Sequence, residues 1–465
     1  MTTGTVPRVV VVGGGITGLA AAFFLRDAPV SVTVLEGSPR LGGKLSASEV
    51  AGVPMDEGAE ALLARRPEGL DLITATGLGD CLVPAGVTSS AIYTRGALRA
   101  LPRRQFMGVP ADVDELAASG VVSAEGADRA RHERTPPSRA GDVSVADYIG
   151  ARLGDEVVDR LVDPLLGGVY AGRSRDLSFA ATLAPLAAAA SAHPSLTQAA
   201  GSLIPATGAA GDGKPKPVFV TLTTGLGALP EVLAKASNAD VRTSAMVRDL
   251  DRTQDGWRLT IGSAADPEYL RADAVIVATP AAAAARLLSR TVPAAAAALN
   301  DIPYASMAII TLAFRAEDFP AQGGSGYLVP AVDGKAVKAV TFSTVKWPHL
   351  TRHAPVHIVR CSVGRIGEVA VLQRDDEDLA ALAAAELAAA TGLAGAPVAH
   401  RVTRWGGALP QYNVGHLDRV ERVRAAVRRH PGLAVAGAAY DGVGIPACVA
   451  TAASATAQVA RHLGF

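Results

Sequence analysis

The sequence is short of aromatics, of cysteine and of net charge, and each shortage removes a class of protein. Phe, Trp and Tyr make up 4% of the 465 residues, so alanine runs such as Ala281–Ala285 and Ala294–Ala298 do much of the apolar filling. The three cysteines, Cys81, Cys361 and Cys448, lie far apart with no CxxC. That removes a disulfide framework and a thiolate zinc site, and it fits a reducing cytoplasm. Forty-four basic residues balance 44 acidic ones, leaving no excess of base to bind a nucleic-acid backbone. Long apolar runs are missing despite a mean hydropathy of +0.25. Tyr304–Phe314 falls short of the roughly 20 residues of a spanning helix. Pro280 interrupts Val275–Leu288, and Pro185 interrupts Phe179–Ala192. No basic segment leads into an apolar helix and cleavage site at the N-terminus, so no secretory signal is expected. With 49% hydrophobic and 19% charged residues, disorder is excluded too. What remains is a folded chain long enough for roughly two to four domains, with no membrane span and only peripheral membrane contact left open.

What is present begins at the N-terminus. The β-branched run Val9–Val12 suits a strand buried on both faces of a parallel sheet. It leads into Gly13-Gly14-Gly15-Ile16-Thr17-Gly18, an apolar helical pattern to Leu25, and a second strand-like run, Val30–Leu35, that ends in Glu36. Strand, glycine turn, helix, strand and acid in that order form a dinucleotide-binding unit. In it Gly13 makes the tight turn, Gly15 admits a pyrophosphate, and Gly18 lets helix and strand pack closely. The helix start offers free N–H groups to phosphate. Glu36 stands eighteen residues after Gly18, where a carboxylate reaches ribose hydroxyls. The continuation, Glu36-Gly37-Ser-Pro-Arg40-Leu-Gly42-Gly43-Lys44, allows a second backbone approach to the diphosphate, with Arg40 and Lys44 as counter-charges. This extension resembles the FAD-binding flavoproteins of the glutathione-reductase type, in the amine-oxidase branch, and argues for FAD rather than NAD.

The C-terminal region repeats the pattern: Leu433–Gly437 reads as a strand, Gly442-Val443-Gly444-Ile445-Pro446 as a turn, and a small-residue helix runs on through Ala460. In the superfamily this segment returns to the first domain and touches the isoalloxazine ring. Ala272–Thr279 reads as a third strand, and Thr279-Pro280 is either a crossing point of such folds or an ordinary strand end.

Further strings carry a more specific resemblance. They are Asp56-Glu-Gly58-Ala59-Glu60-Ala61 running on to Arg66-Pro67, Leu101-Pro102 with Met107–Pro110, and Asp163-Pro164 through Tyr170 to Gly172. Lys346-Trp347-Pro348, Arg404-Trp405 to Tyr412, Gly415-His416 and Gly442–Cys448 complete the set. In this order and spacing the chain resembles the bacterial protoporphyrinogen/coproporphyrinogen III oxidase family of haem biosynthesis. The resemblance implies an α/β fold: a Rossmann-like FAD-binding domain of the glutathione-reductase/amine-oxidase type, a mixed-sheet substrate domain and a helical subdomain. The expected division is residues 1–80, 215–290 and 415–465 for FAD, 81–110 and 291–414 for substrate, and 111–214 for the helical part. Within them Val218–Leu222, Asp240–Leu250 and Trp257–Ile261 read as strands, Leu229–Ala236 and Asp376–Ala390 as helices, and Thr135–Gly141 and Pro205–Gly213 as surface breaks.

By the same resemblance Gly58, Ala59, Glu60, Ala61, Val247, Trp405, Val443, Gly444 and Ile445 join the glycine-turn residues around FAD. The implied substrate is a porphyrinogen with dioxygen as oxidant, and a haem-pathway protein is a possible partner. The implied enzyme is an FAD-dependent oxidoreductase acting on CH–CH groups with oxygen as acceptor. Such chemistry belongs to the flavin and needs positioning from the protein; no residue stands out as catalytic, and no metal site is expected. Arg173, Arg175, Lys346 and Arg404 are candidates for the substrate's propionates, although basic residues in such strings more often serve in scaffold ion pairs. His349, His353 and His357 read as solvated residues around a turn. Ser90 stands where the plant and animal branch has an arginine before the strand at Ala91-Ile92-Tyr93. That departure, with an Ala/Arg/Gly/Val-rich composition typical of actinobacteria, favours the Gram-positive coproporphyrinogen branch. Protoporphyrinogen IX is the alternative substrate. An amine oxidase, a carotenoid desaturase or a non-catalytic flavin protein is a more distant reading.

Overall fold

The computed structural model describes residues 6–135, 141–205, 217–319 and 323–465. The expected breaks at 136–140 and 206–213 lie outside them. Strands Arg8–Val12, Ser31–Leu35, Asp240–Arg242, Ala274–Val277 and Leu433–Val435 form one parallel sheet, with Arg8–Val12 at its centre. Val9, Val10 and Val11 are wholly buried because helices and a second layer cover both faces. Each such valine contributes about 1.5–3 kcal/mol by leaving water. Distant parts of the chain thus meet in one sheet, and the helices Ile16–Phe24 and Ile445–Leu463 pack side by side against one face. The Pro293–Asn300 and His416–Arg428 helices share the core on the other face.

The run Asp240–Leu250 departs from expectation. It splits into Asp240–Arg242 in the parallel sheet and Val247–Thr253 in a separate antiparallel sheet with Gly256–Gly262 and Pro267–Ala272. Ser244 takes a left-handed backbone (φ 53°) at the break, where its N–H bonds the Ser38 carbonyl and the Ala245 N–H bonds the Glu36 carbonyl. Alternating side chains cannot report such a turn, since both pieces are strands.

A seven-stranded mixed sheet lies beyond. Its order is Ala399–Pro410, Tyr304–Arg315, Val356–Val363, Val337–Phe342, Gly326–Leu328, Ala91–Thr94 and Ala97–Ala100, antiparallel except between Gly326–Leu328 and Ala91–Thr94. The helix Asp376–Thr391 packs on one face through Leu379, Ala383 and Leu387. Residues between Val113 and Ser202 form the helical region around Leu116, Ile149, Leu153, Leu161, Leu166 and Leu196. Five of its helices begin at Asp112, Ser123, Ser144, Ser178 and Ser195, and each of these side chains accepts from a first-turn N–H. One continuous helical stretch widens at Val158–Val162, just before Pro164, whose missing N–H leaves the usual ladder incomplete. Among the described residues no helix is long and apolar enough to cross a membrane.

A Cβ at Gly18 would stand 1.9 Å from the Gly13 carbonyl oxygen, so the first helix rests on the glycine turn itself. Gly18→Ala is therefore expected to cost about 2–3 kcal/mol by overpacking, read as a lower urea midpoint. An unchanged midpoint would contradict this packing.

Candidate functional site

The site grows from the end of the central strand. Gly13 turns with φ 112°, and a Cβ there would meet the Ala278 carbonyl oxygen at 2.9 Å. Its N–H bonds the Leu35 carbonyl at 2.8 Å, closing the turn against the second strand. Gly15 differs from both neighbours in kind: a Cβ would meet nothing within 4 Å. Gly15 is also the N-cap of the Ile16–Phe24 helix, and no side chain caps that helix. Gly444 begins the Ile445–Leu463 helix equally uncapped. These helices pack on each other, with Thr17 in the first turn of one near Cys448 in the first turn of the other. Two helix starts without a capping side chain, beside a space that only glycine leaves free, are an arrangement suited to an anion.

The second glycine pair closes on the first. Gly42 donates to the Gly14 carbonyl at 2.8 Å, and a Cβ at Gly43 would lie 3.5 Å from Gly15 Cα. Arg40 braces this turn by donating to the carbonyls of Gly43 (2.8 Å) and Leu41 (3.2 Å), with its guanidinium 5.8 Å from the Trp405 ring. Lys44 makes no ion pair among the described residues, and burial pushes its ammonium below the ordinary lysine range, with Cys448 opposing.

Glu36 sits where expected, with one addition. Its carboxylate accepts from Gly14 N at 2.7 Å and Ser38 N at 2.8 Å. Each oxygen keeps an acceptor site for a ribose hydroxyl, so Glu36 also holds the glycine turn to the second strand. Gly37 lies under Met246, and Val247 is buried at the start of its strand.

Glu60 has another occupation. Burial alone would raise its carboxyl, but Lys346 at 2.8 Å and the adjacent Arg360 hold it at about 2. Arg360 also donates to the Gly58 carbonyl at 2.8 Å, and a Cβ at Gly58 would stand 2.0 Å from the Lys44 carbonyl oxygen. The Gly58–Ala61 segment is thereby fastened between Lys44 and the seven-stranded sheet. Trp405 joins it by donating to the Glu57 carbonyl at 2.9 Å. Asp56, pushed up to about 6 by burial, accepts from Leu226 N at 2.9 Å and Gly227 N at 2.7 Å.

The propionate candidates are all engaged. Arg173 pairs with Glu368, Arg175 with Asp159, Lys346 with Glu60 and Arg404 with Asp376. Ser90 is half-buried at the head of Ala91–Thr94 and brings no cation there. Of the three histidines read as solvated, only His353 is exposed. His357 belongs to the Val356–Val363 strand, where Nδ1 lies 3.0 Å from Thr344 Oγ1 and the ring stacks on Phe319 at 4.7 Å. His349 is half-buried beside Trp347.

Tyr412 supplies a brace that its place in the sequence did not disclose. Its hydroxyl donates to the Ala438 carbonyl and accepts from Gly442 N, both at 2.7 Å, tying down the loop before the C-terminal helix. Its ring stacks at 3.8 Å on His416, which burial pushes down to about 4, keeping it neutral. Arg360 was also missed. Its signal was a lone charge inside the apolar run Val356-His-Ile-Val-Arg-Cys-Ser-Val363.

Fold and site define an FAD-dependent oxidoreductase: residues 16–460 match the flavin containing amine oxidoreductase family. A crystal structure from Exiguobacterium sp. 255-15, described provisionally as a protoporphyrinogen oxidase, is similar with a TM-score of 0.85 and 30% identity, over 99% of this chain and 100% of that one. The coproporphyrinogen III oxidase of Mycobacterium tuberculosis is 38% identical over 97% of each chain. That of Bacillus subtilis is 30% identical over 98% of each. The chain belongs to the coproporphyrinogen III oxidase family.

Two variants separate space from stability. Gly15→Val is expected to leave the unfolding midpoint of flavin-free protein within about 1 kcal/mol of wild type, a change of N-cap residue only. The purified variant should be colourless; a fully flavin-loaded Gly15→Val protein would overturn the diphosphate assignment. Glu60→Gln is expected to cost about 3–5 kcal/mol, because Lys346 and Arg360 lose their shared anion. The folded pKa lies below the ordinary 4.5, so Glu60's contribution is complete above pH 4.5 and lost as pH falls towards 2. Urea midpoints of wild type and Glu60→Gln should therefore converge on acidification; a constant gap would contradict the ion pair.

Proposed function

We propose that the protein is an oxygen-dependent coproporphyrinogen III oxidase, forming coproporphyrin III and hydrogen peroxide. The observation that carries this reading is the full-length likeness to the mycobacterial and Bacillus enzymes of that name. Bound FAD supplies the hydride acceptor for the methylene bridges of the porphyrinogen. The chain's own residues do the holding. Gly13, Gly14, Gly15, Ile16, Thr17 and Gly18 cradle the diphosphate, with Gly43, Arg40 and Lys44 closing on it. Glu36 and Gly37 meet the ribose, and the Val247 backbone the adenosine. The segments Gly58–Ala61 and Val443–Ile445, with Trp405, surround the flavin. The proposed division of labour is an FAD-binding unit from residues 1–80, 215–290 and 415–465, a substrate unit from 81–110 and 291–414, and a helical unit from 111–214.

Three oxidations each remove a hydride from a bridge together with a proton; two of the protons leave pyrrole nitrogens and the third comes, by tautomerisation, from the fourth bridge, and dioxygen takes up each pair of electrons with two protons as peroxide. The reaction is placed in the cytoplasm, with a haem-pathway protein as recipient of the product. Protoporphyrinogen IX is the second reading, favoured by the Exiguobacterium structure. Ser90, in place of the arginine that the plant and animal branch carries there, supports the more carboxylated substrate. In a side-by-side aerobic assay kcat/KM for coproporphyrinogen III should exceed that for protoporphyrinogen IX at least about tenfold, or 1.4 kcal/mol of discrimination. The reverse preference would overturn the substrate choice.

A further inference from the structure

The sheet facing the FAD-binding unit contains a buried lysine without a counter-ion. Strand Val337–Phe342 pairs with Val356–Val363 so that Val337 lies opposite Val363 and Ala339 opposite Ser362, which leaves Lys338 as an extra, unpaired residue. Such a bulge re-aims a side chain. Lys338 Nζ accordingly donates to Ser362 Oγ on the neighbouring strand. Ser362 shares a face with Arg360, two residues away, and Arg360 reaches the Gly58 carbonyl and Glu60. The bulge therefore delivers Lys338 to the inner face of the sheet, the face turned towards the flavin-binding segments. The Asp376–Thr391 helix covers the other face.

Lys338 is 4% exposed, and Ser362 accepts from one of its three N–H donors. No carboxylate lies within ion-pair distance of it among the described residues. The charges around it are already matched to one another. Arg365 bonds the carbonyls of Lys335 and Val329 and the carboxylate of Glu368. Glu368 is shared with Arg173, and Asp163 on the helix opposite accepts the N–H and hydroxyl of Ser174. Glu386 is taken by the N–H groups of Ala336 and Val337. On the inner face Lys338, Arg365 and Arg173 thus meet two carboxylates, Glu368 and Asp163, whereas Glu386 belongs to the helix on the other face. Burying an uncompensated ammonium is costly, so the arrangement is complete only with a further anion.

We propose that Lys338 binds a carboxylate of the substrate and so helps to select a porphyrinogen bearing a propionate on every pyrrole. This rests on the activity proposed above, and it fills the role left vacant by Arg173, Arg175, Lys346 and Arg404. Burial, with Arg365 adding to it and Glu368 opposing, pushes Lys338 down to about 7, so an arriving carboxylate also stabilises a proton on it.

The test is binding of coproporphyrin III and of its tetramethyl ester to the oxidised, flavin-loaded enzyme, together with steady-state kinetics on coproporphyrinogen III. Lys338→Met should weaken coproporphyrin III binding and raise KM about tenfold or more, leaving ester binding and flavin content unchanged. Lys338→Arg should restore most of the loss. In wild type, affinity for coproporphyrin III should fall as pH rises above about 7, while affinity for the ester stays flat; this arm does not depend on a variant folding. Unchanged affinity in Lys338→Met, an equal loss for the ester, or a flat pH profile for the acid would overturn the assignment. Wild type that does not oxidise coproporphyrinogen III would overturn the activity beneath it. Normal wild-type turnover with an unaltered Lys338→Met KM would overturn the lysine alone.

Discussion

Everything in the site depends on side-chain-free backbone between the first strand and the first helix. Gly18 lets the helix rest on the Gly13 carbonyl, and Gly13 takes a backbone angle that a bulkier residue would enter only with strain. With the helix so placed, its first N–H groups open on to a space where a Cβ at Gly15 would touch nothing. The same docking brings Thr17 to Cys448 and so aligns the start of the C-terminal helix with the first. One packing constraint thereby produces both the fold's central contact and the positive helix end at which the diphosphate is proposed to sit. The capped helices of the Val113–Ser202 region show the contrast: where no ligand is needed, Asp and Ser side chains satisfy the first-turn donors.

The second layer is attached by charge. Glu60 comes from the segment following the glycine turns, whereas Arg360 comes from the seven-stranded sheet and Lys346 from the short helix Ser343–Lys346 that follows its strand Val337–Phe342. Desolvating three charges gains little net stability over an apolar contact, yet breaking the set by removing one partner is expensive. Its effect is geometric: Gly58 and Ala59 cannot move without disturbing Arg360, Trp405 and the Lys44 carbonyl. Tyr412 does the same for the Ala438–Gly442 loop through two hydrogen bonds on one hydroxyl. Both segments are thus held by rigid elements, which is what a reaction dependent on positioning requires of the residues proposed to surround the flavin.

Legibility in the sequence followed the range of the interactions. Gly13, Gly15 and Gly18 could be assigned distinct tasks because all are local to a strand–turn–helix unit, and the structure gives each glycine that geometry. The helix Leu229–Ala236 and the strand Val9–Val12 were equally plain from local pattern. Contacts made across hundreds of residues were not. Lys346 could be read as a propionate candidate or as a scaffold ion pair, but not given its partner, because Glu60 lies 286 residues away in the chain. His357 looked solvated because three nearby histidines suggested a turn, although the strand pairing buries it against Phe319. Lys338 gave no usable signal: in Val337-Lys-Ala-Val-Thr-Phe342 a period of two puts it on the face of Val340 and Phe342, against the covering helix, and only the bulge moves it to the other face.

The account makes the protein a catalyst whose reducing substrate is a porphyrinogen, with the glycine turns holding the flavin that receives its electrons. The most direct test is anaerobic titration of the yellow, flavin-loaded protein with coproporphyrinogen III, following flavin absorbance and porphyrin fluorescence together. The account predicts that the flavin bleaches, with about one porphyrin formed for every three flavins reduced, and that admitting air restores the yellow colour with release of peroxide. A flavin that stays oxidised while excess substrate is present would contradict it.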